Sequence, residues 1–165
     1  SARPIEWKNL GIEKMLDVGD TAPDFELTNE RGVVVTLDDL LLEGPLVLYF
    51  YPADFTSLCT TEACEIRDRH DELRAVSANV VGVSPQGESS HDRFRDKYEL
   101  PFPLLDDRQK KVIRAYGVNG PMGLGVRRVT FLINPDKKVV DRVVSDFRIK
   151  PHMGLIDSMV EDLGV

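Results

Sequence analysis

"YPADFTSLCTTEACEIRD", Tyr51 to Asp68, carries both cysteines of the chain, Cys59 and Cys64, five positions apart. The run "PLVLYFY" (Pro45–Tyr51) leads into it and stops at Pro52. A short, continuous apolar run of β-formers suits a strand covered on both faces. A loop then leads to a helix predicted to begin near Cys59. Thr56, Ser57 and Thr60 are candidate caps, Leu58 a candidate staple residue. Glu62 reads as a first-turn acid, placed to cap the helix start or to order the turn around the thiol. Cys59 then sits where free backbone N–H groups favour a thiolate.

Lowering a thiol pKa from ~8.5 to ~6 needs about 3.4 kcal/mol. A helix terminus contributes roughly 0.3–1 kcal/mol, or ~2 when partly buried. The helix alone therefore falls short, and a hydroxyl donor and a cation are required as well. Thr56, three residues upstream, can offer the hydroxyl; the cation must come from elsewhere in the fold. Ionisation has its own ceiling, because a free thiol is already a few per cent ionised at neutral pH. Any large rate effect must come from positioning and polarising an electrophile.

Five is neither a zinc-knuckle spacing nor that of a Cys-x-x-Cys redox pair. On one straight helix, residues five apart have Cα atoms roughly 8.6 Å apart. A disulfide wants less than ~7 Å. Cys59 and Cys64 can bond only if the first turns unwind. The spacing alone leaves open that Cys64 is a small buried apolar residue.

Outward from this stretch, "ANVVGVSP" (Ala78–Pro85) reads as a second covered strand. "RRVTFLINPDKKVVDRVVS" (Arg127–Ser145) reads as two strands joined by a turn at Asn134–Lys137. Helical patterns follow Cys59 and occupy Glu88–Leu100, Arg108–Val118 and Pro151–Gly164. "DFELTNERGVVVTLDDLL" (Asp24–Leu41) reads as an edge hairpin ahead of the main sheet. The order predicts an α/β sandwich. The chain divides into an N-terminal extension, residues 1–16, holding the lone Trp7, and one domain, residues 17–165.

The 165 residues carry a net charge of −7. That argues against nucleic acid or an anionic membrane as partner. No apolar run reaches the roughly 18 residues of a membrane span, and the N-terminus lacks the apolar stretch of a signal peptide. Two cysteines are too few for a secreted disulfide scaffold, so a reducing compartment is expected, with the cytoplasm as the location and an organelle left open.

The pattern Pro52-x-x-x-Thr56-x-x-Cys59 resembles the signature of the peroxiredoxin family. "CTTEAC" (Cys59–Cys64) is similar to its Q-type, or bacterioferritin-comigratory-protein, branch. "VGDTAPDFEL" (Val18–Leu27), "FPLLDD" (Phe102–Asp107) and "GVRRVTFLINPD" (Gly125–Asp136) resemble further landmarks in the family's order. The resemblance spans Val18 to Leu163 and departs at Ser57-Leu58, where Pro-Gly is common. It implies a thioredoxin-like fold: a central mixed β-sheet flanked by helices, with an added N-terminal hairpin. It implies a thiol peroxidase acting on hydrogen peroxide and organic hydroperoxides, without a cofactor or metal. Cys59 would be the peroxidatic nucleophile and Cys64 the resolving thiol, closing an intramolecular disulfide recycled by thioredoxin or a similar dithiol. Thr56 would hydrogen-bond thiolate and peroxide, Pro52 would shield the sulfur, and Arg128 would be the missing cation. Arg127 would point to the opposite face. Relatives of this branch are monomers or weak homodimers.

Other chemistries fit less well. The histidines His70, His91 and His152 show no ligand spacing. His70 reads as lying three turns along the thiol helix, too far to be a base, and the other two read as surface residues. The charge runs Glu65–Arg74 and His91–Glu99 read as solvated helix faces. A peroxide sensor or chaperone-like protein is the alternative, separated from an enzyme by sustained turnover.

Overall fold

The computed structural model describes residues 14–164. Trp7 and most of the N-terminal extension lie outside the described residues. Met15 and Leu16, the end of that extension, pack on the core, and Leu16 N–H donates to Tyr116 O at 3.1 Å.

Seven strands form one mixed sheet, in the order β2-β1-β5-β4-β3-β6-β7. They are β1 (Glu26–Asn29), β2 (Val34–Thr36), β3 (Leu46–Phe50), β4 (Asn79–Ser84), β5 (Leu104–Asp106), β6 (Val129–Ile133) and β7 (Val139–Val144). Only β3–β4 and β4–β5 pair in parallel; the other neighbours are antiparallel. The central strands β3 and β6 are buried at every position; β3 is an unbroken apolar run, and β6 is apolar but for Thr130. β1 and β2 form the expected hairpin at one edge. Its last residues instead form helix α1 (Leu37–Leu41), because Thr36 and Asp39 close a capping box.

The period of two along β3 divides the core. Leu46, Leu48 and Phe50 face α1 and α5 (Lys111–Ala115). Val47, Tyr49 and Tyr51 face α2 (Ser57–Asp68), α3 (His70–Ala75), α4 (Glu88–Lys97) and α6 (Lys150–Leu163). Each fully buried Leu or Phe here contributes roughly 1.5–3 kcal/mol of transfer free energy. The expected long helix after Cys59 is two. α2 ends at Arg69, which leaves helical geometry at φ −99° and ψ 1°, and His70 opens α3. The helix expected over Arg108–Val118 shortens to α5, because Lys110 before it is left-handed at φ 57°.

Candidate active site

The parallel pair β3–β4 lies in the middle of the sheet, and the loop Pro52–Thr56 carries the chain from the carboxyl end of β3 into α2. Two sets of contacts hold this loop to α4. The Asp54 carboxylate, buried, accepts from Tyr51 Oη at 2.6 Å and Ser90 Oγ at 2.7 Å, and pairs with His91 Nδ1 at 2.7 Å. His91 Nε2 donates to Leu105 O at 2.9 Å, fastening α4 to β5. Phe55 has φ 65°, a strained value for a bulky residue. Its ring meets that of Phe94 edge-on at 5.1 Å. The strain turns the chain sharply into α2.

Ser57 is the first residue of α2, so Cys59 lies in its first turn, buried at the base of the loop. Thr56 is the N-cap by backbone, but its hydroxyl makes no cap bond; it donates to Ala53 O at 3.0 Å. Among the described residues, the hydrogen-bond donor on the Cys59 sulfur is Arg128 Nη2, at 3.2 Å. Arg128 immediately precedes β6, paired to β3 through Phe50 and Val129. That register sets the guanidinium beneath the start of α2. Arg127 turns away, to Asp146 at 2.9 Å.

Glu62 is not a first-turn acid. Its side chain points inward and accepts from Arg128 Nη1 at 2.6 Å. The Arg128 Nε donates to Asp146 O at 3.3 Å. The sulfur and one carboxylate thus share the two ends of one guanidinium, which is 4 % exposed, with Cys59 at 2 % and Glu62 at 0 %. Burial works against the charge of Arg128, yet Glu62 and Cys59 outweigh it and raise its pKa. Burial also raises the Glu62 pKa from 4.5 to about 7, and Arg128 offsets this only in part.

Two residues of this site, His152 and Tyr49, went unread along the chain. His152 and His91 are both fully buried, not surface residues. His152 Nε2 donates to Ser145 O at 2.9 Å, so Nδ1 is the acceptor for Thr130 Oγ1 at 2.7 Å. Burial lowers the His152 pKa, consistent with a neutral ring. Its Nδ1 stands 3.9 Å from Glu62 Oε2. Tyr49, on β3, is buried against the same group, and burial, then Glu62 and Cys59, push its pKa well above the usual phenol range. The alternation in Pro45–Tyr51 could have found Tyr49. His152 falls in the apolar stripe of α6, where its polar partners come from β6 and the end of β7.

Cys64 lies in the same intact helix, half-buried and outside the two apolar clusters, and both thiols are free. It is therefore not the buried apolar filler that its spacing allowed. Arg67 reaches Tyr98 O at 2.8 Å and Asp68, on the side of α4 rather than the site. An open cleft of about 740 Å³ leads to Arg128; Pro52, Val126, Asp146 and Phe147 line it together with the glycine-rich loop from Asn119 to Gly125. Lys110 Nζ donates to Gly123 O and Gly125 O at 3.2 and 3.1 Å, which holds that loop as a wall.

The Glu62 shift makes stability depend on pH. Its folded pKa is raised, so its contribution is complete below about 4.5 and is lost as pH rises through about 7. The loss amounts to about 3 kcal/mol. Denaturant unfolding at pH 5 and pH 8 is expected to give most of that difference, and Glu62→Gln to remove most of the dependence. A Glu62→Gln protein with the same pH slope as the parent would contradict the assignment.

Comparison with known proteins gives a consistent result. Residues 18–142 match the model of the AhpC/TSA family. Peroxiredoxin Bcp of Bacillus subtilis is 36% identical over 155 residues, covering 90% of this chain and 97% of that protein. Peroxiredoxin Bcp of Escherichia coli K12 is 36% identical over 147 residues, covering 86% and 93%. The crystal structure of peroxidoxin BcpB from Mycobacterium tuberculosis superposes with a TM-score of 0.84 at 38% identity, covering 90% of this chain and 98% of that one. Peroxiredoxin Q from Xanthomonas campestris gives 0.78 at 28% identity, covering 91% and 98%. The sheet and its flanking helices are thus a thioredoxin-like peroxiredoxin fold.

Proposed function

Since the chain belongs to the AhpC/TSA family and is a peroxiredoxin, a thiol peroxidase similar to the Bcp and Q proteins, we propose that Cys59 is its nucleophile and Cys64 its resolving thiol. The observation that carries this is the Arg128 guanidinium, buried 3.2 Å from the Cys59 sulfur at the inner end of the cleft that Pro52 also lines. A cation there favours the thiolate and stands ready for charge developing on a peroxide.

The Cys59 thiolate attacks the terminal oxygen of a hydroperoxide. The S–O bond forms, the O–O bond breaks, and the leaving alkoxide or hydroxide takes up a proton to become alcohol or water. Sulfur is oxidised by two electrons to the sulfenic acid. Arg128 and the backbone N–H groups of the first turn of α2 stabilise the charge in transit. Thr56 turns its hydroxyl from Ala53 O toward the peroxide once substrate is bound. Pro52, which has no N–H, keeps that side of the cleft from hydrating the sulfur.

The α2 start then unwinds. The Cys64 thiol attacks the Cys59 sulfur, the S–S bond forms, and the S–O bond breaks with release of water. A dithiol protein such as thioredoxin reduces the disulfide by exchange and is itself oxidised. The half-buried state of Cys64 supports this reading, because a resolving thiol must be reachable. We place this chemistry in the cytoplasm, acting on hydrogen peroxide and organic hydroperoxides, with the protein as a monomer or weak dimer.

Mass spectrometry after one equivalent of peroxide tests the pairing. The expected product is a chain lighter by two hydrogens, with Cys59 and Cys64 in one cross-linked peptide. A persistent sulfenic acid, or a disulfide between chains, would remove Cys64 from the mechanism.

A further inference from the structure

Arg128 serves two acids and is the cation they have in common. Its Nη2 donates to Cys59 Sγ at 3.2 Å and its Nη1 to Glu62 Oε1 at 2.6 Å. We propose that Cys59 and Glu62 hold a single proton between them, so that at neutral pH one of the two is ionised and the other is neutral.

Among the described residues, the surroundings give no second positive charge. From α6, His152 faces Glu62, but its Nε2 donates to Ser145 O and its Nδ1 accepts from Thr130, so it presents no proton to the carboxylate. From β3, Tyr49 faces both acids as a neutral phenol and has no hydrogen-bond partner among the described residues. Asp146 faces Arg128, but it is committed to Arg127 and to the Arg128 backbone N–H. Asp54 is held by Tyr51, Ser90 and His91. The second carboxylate oxygen of Glu62, Oε2, is buried with no hydrogen-bond partner among the described residues; its neighbour is the neutral His152 Nδ1 at 3.9 Å. A doubly ionised site would carry one uncompensated negative charge where water cannot reach it, an expensive state. A proton on Oε2 removes that charge and leaves Oε1 on Arg128. The two acids therefore titrate as a pair.

Oxidation exchanges their roles. When the Cys59 thiolate becomes a neutral sulfenic acid, Arg128 loses that anion, and Glu62 gives up its proton to become the replacement. The released proton balances the one taken by the departing alkoxide, so the buried site keeps its net charge across the chemical step. Glu62 is in this sense a positioning residue, acting through Arg128. The kinetic consequence rests on the reading of Cys59 as nucleophile; the test below reads ionisation without peroxide, so either can fail while the other stands.

The test uses Cys64→Ser protein, in which a single thiol is read. The rate of Cys59 alkylation by iodoacetamide is followed against pH, with Glu62 intact and with Glu62→Gln. Glutamine keeps an acceptor for Nη1 and removes the rival charge. The expected parent curve spreads over two steps; the Glu62→Gln curve is a single step with its midpoint about one pH unit lower. A residue that only orients Arg128 would leave the midpoint where it is or move it upward, and either result overturns the proposal. A second measurement needs no change at Glu62. Infrared difference spectra are taken on the same Cys64→Ser protein at neutral pH, before and after Cys59 is thiomethylated. The carbonyl band of a protonated carboxylic acid is expected to disappear on modification. A spectrum without that loss overturns the proposal even if Glu62→Gln fails to fold.

Discussion

Arg128→Met is expected to slow the oxidation of Cys59 by hydrogen peroxide by roughly 100- to 1000-fold, the range found when one preorganised donor is removed from a site of developing charge. Met keeps the length of the stem and removes every N–H. Two bonds to the reacting region go with it, those to Cys59 Sγ and Glu62 Oε1, and the link to Asp146 O is lost as well. The variant also leaves Glu62 buried without its cation, a change that costs on the order of 3–5 kcal/mol when the acid is ionised. Because burial already raises the Glu62 pKa to about 7, the stability loss should be smaller at pH 5, where the carboxyl is protonated, than at pH 8. The rate and the stability thus separate. Competition against a reporter that consumes peroxide, read at pH 5 on demonstrably folded protein, isolates the catalytic loss. A rate within roughly fivefold of the parent under those conditions would mean that Arg128 is a structural partner of Glu62 and not part of the chemistry.

Cys64→Ser is expected to abolish sustained turnover while leaving one equivalent of peroxide consumed per chain. Cys59→Ser is expected to consume none. The difference follows from the geometry of α2. Both thiols belong to one unbroken helix, and residues five apart on it keep their Cα atoms roughly 8.6 Å apart. Oxidation of Cys59 does not require α2 to open, whereas closing the disulfide needs the first turns to unwind. The readout is NADPH consumption with thioredoxin, its reductase and hydrogen peroxide, beside a stoichiometric peroxide assay without reductant. Turnover that survives in Cys64→Ser would assign resolution to an external thiol. A parent protein that shows the burst but no turnover with this reductant would favour a redox sensor, or a different dithiol partner.

Much of the architecture was legible because it is written in short-range patterns. The uninterrupted apolar runs at Pro45–Tyr51 and Ala78–Pro85 marked strands covered on both faces, and the alternation within the first divides the core between its two layers. The hairpin at Asn134–Lys137 was marked by its turn residues. The short strand β5 was not read along the chain, since three residues carry no periodicity. The break at Arg69 was hidden because residues on both sides of it favour helix, so nothing local announced it.

The site divides along the same line. By itself the sequence determined that two thiols five apart stand at the start of a helix after a proline-ended strand. It also showed that the helix terminus alone cannot supply the electrostatics, which called for a cation from a distant segment. Local spacing is enough for those statements, since they concern neighbours along one helix. Only the tertiary structure decided where the polar partners lie. The pairing of β6 against β3 puts Arg128 rather than Arg127 against the sulfur. The packing of α2 and α6 on the sheet turns Glu62 inward and buries His152 beside it. α4 buries His91 against Asp54 and so ties down the loop that carries Thr56. Each of these is a charged or polar group kept inside by a partner many positions away. Hydrophobic periodicity reports only which apolar side chains seek the core, so a polar group buried by a remote partner looks, along the chain, like one destined for water.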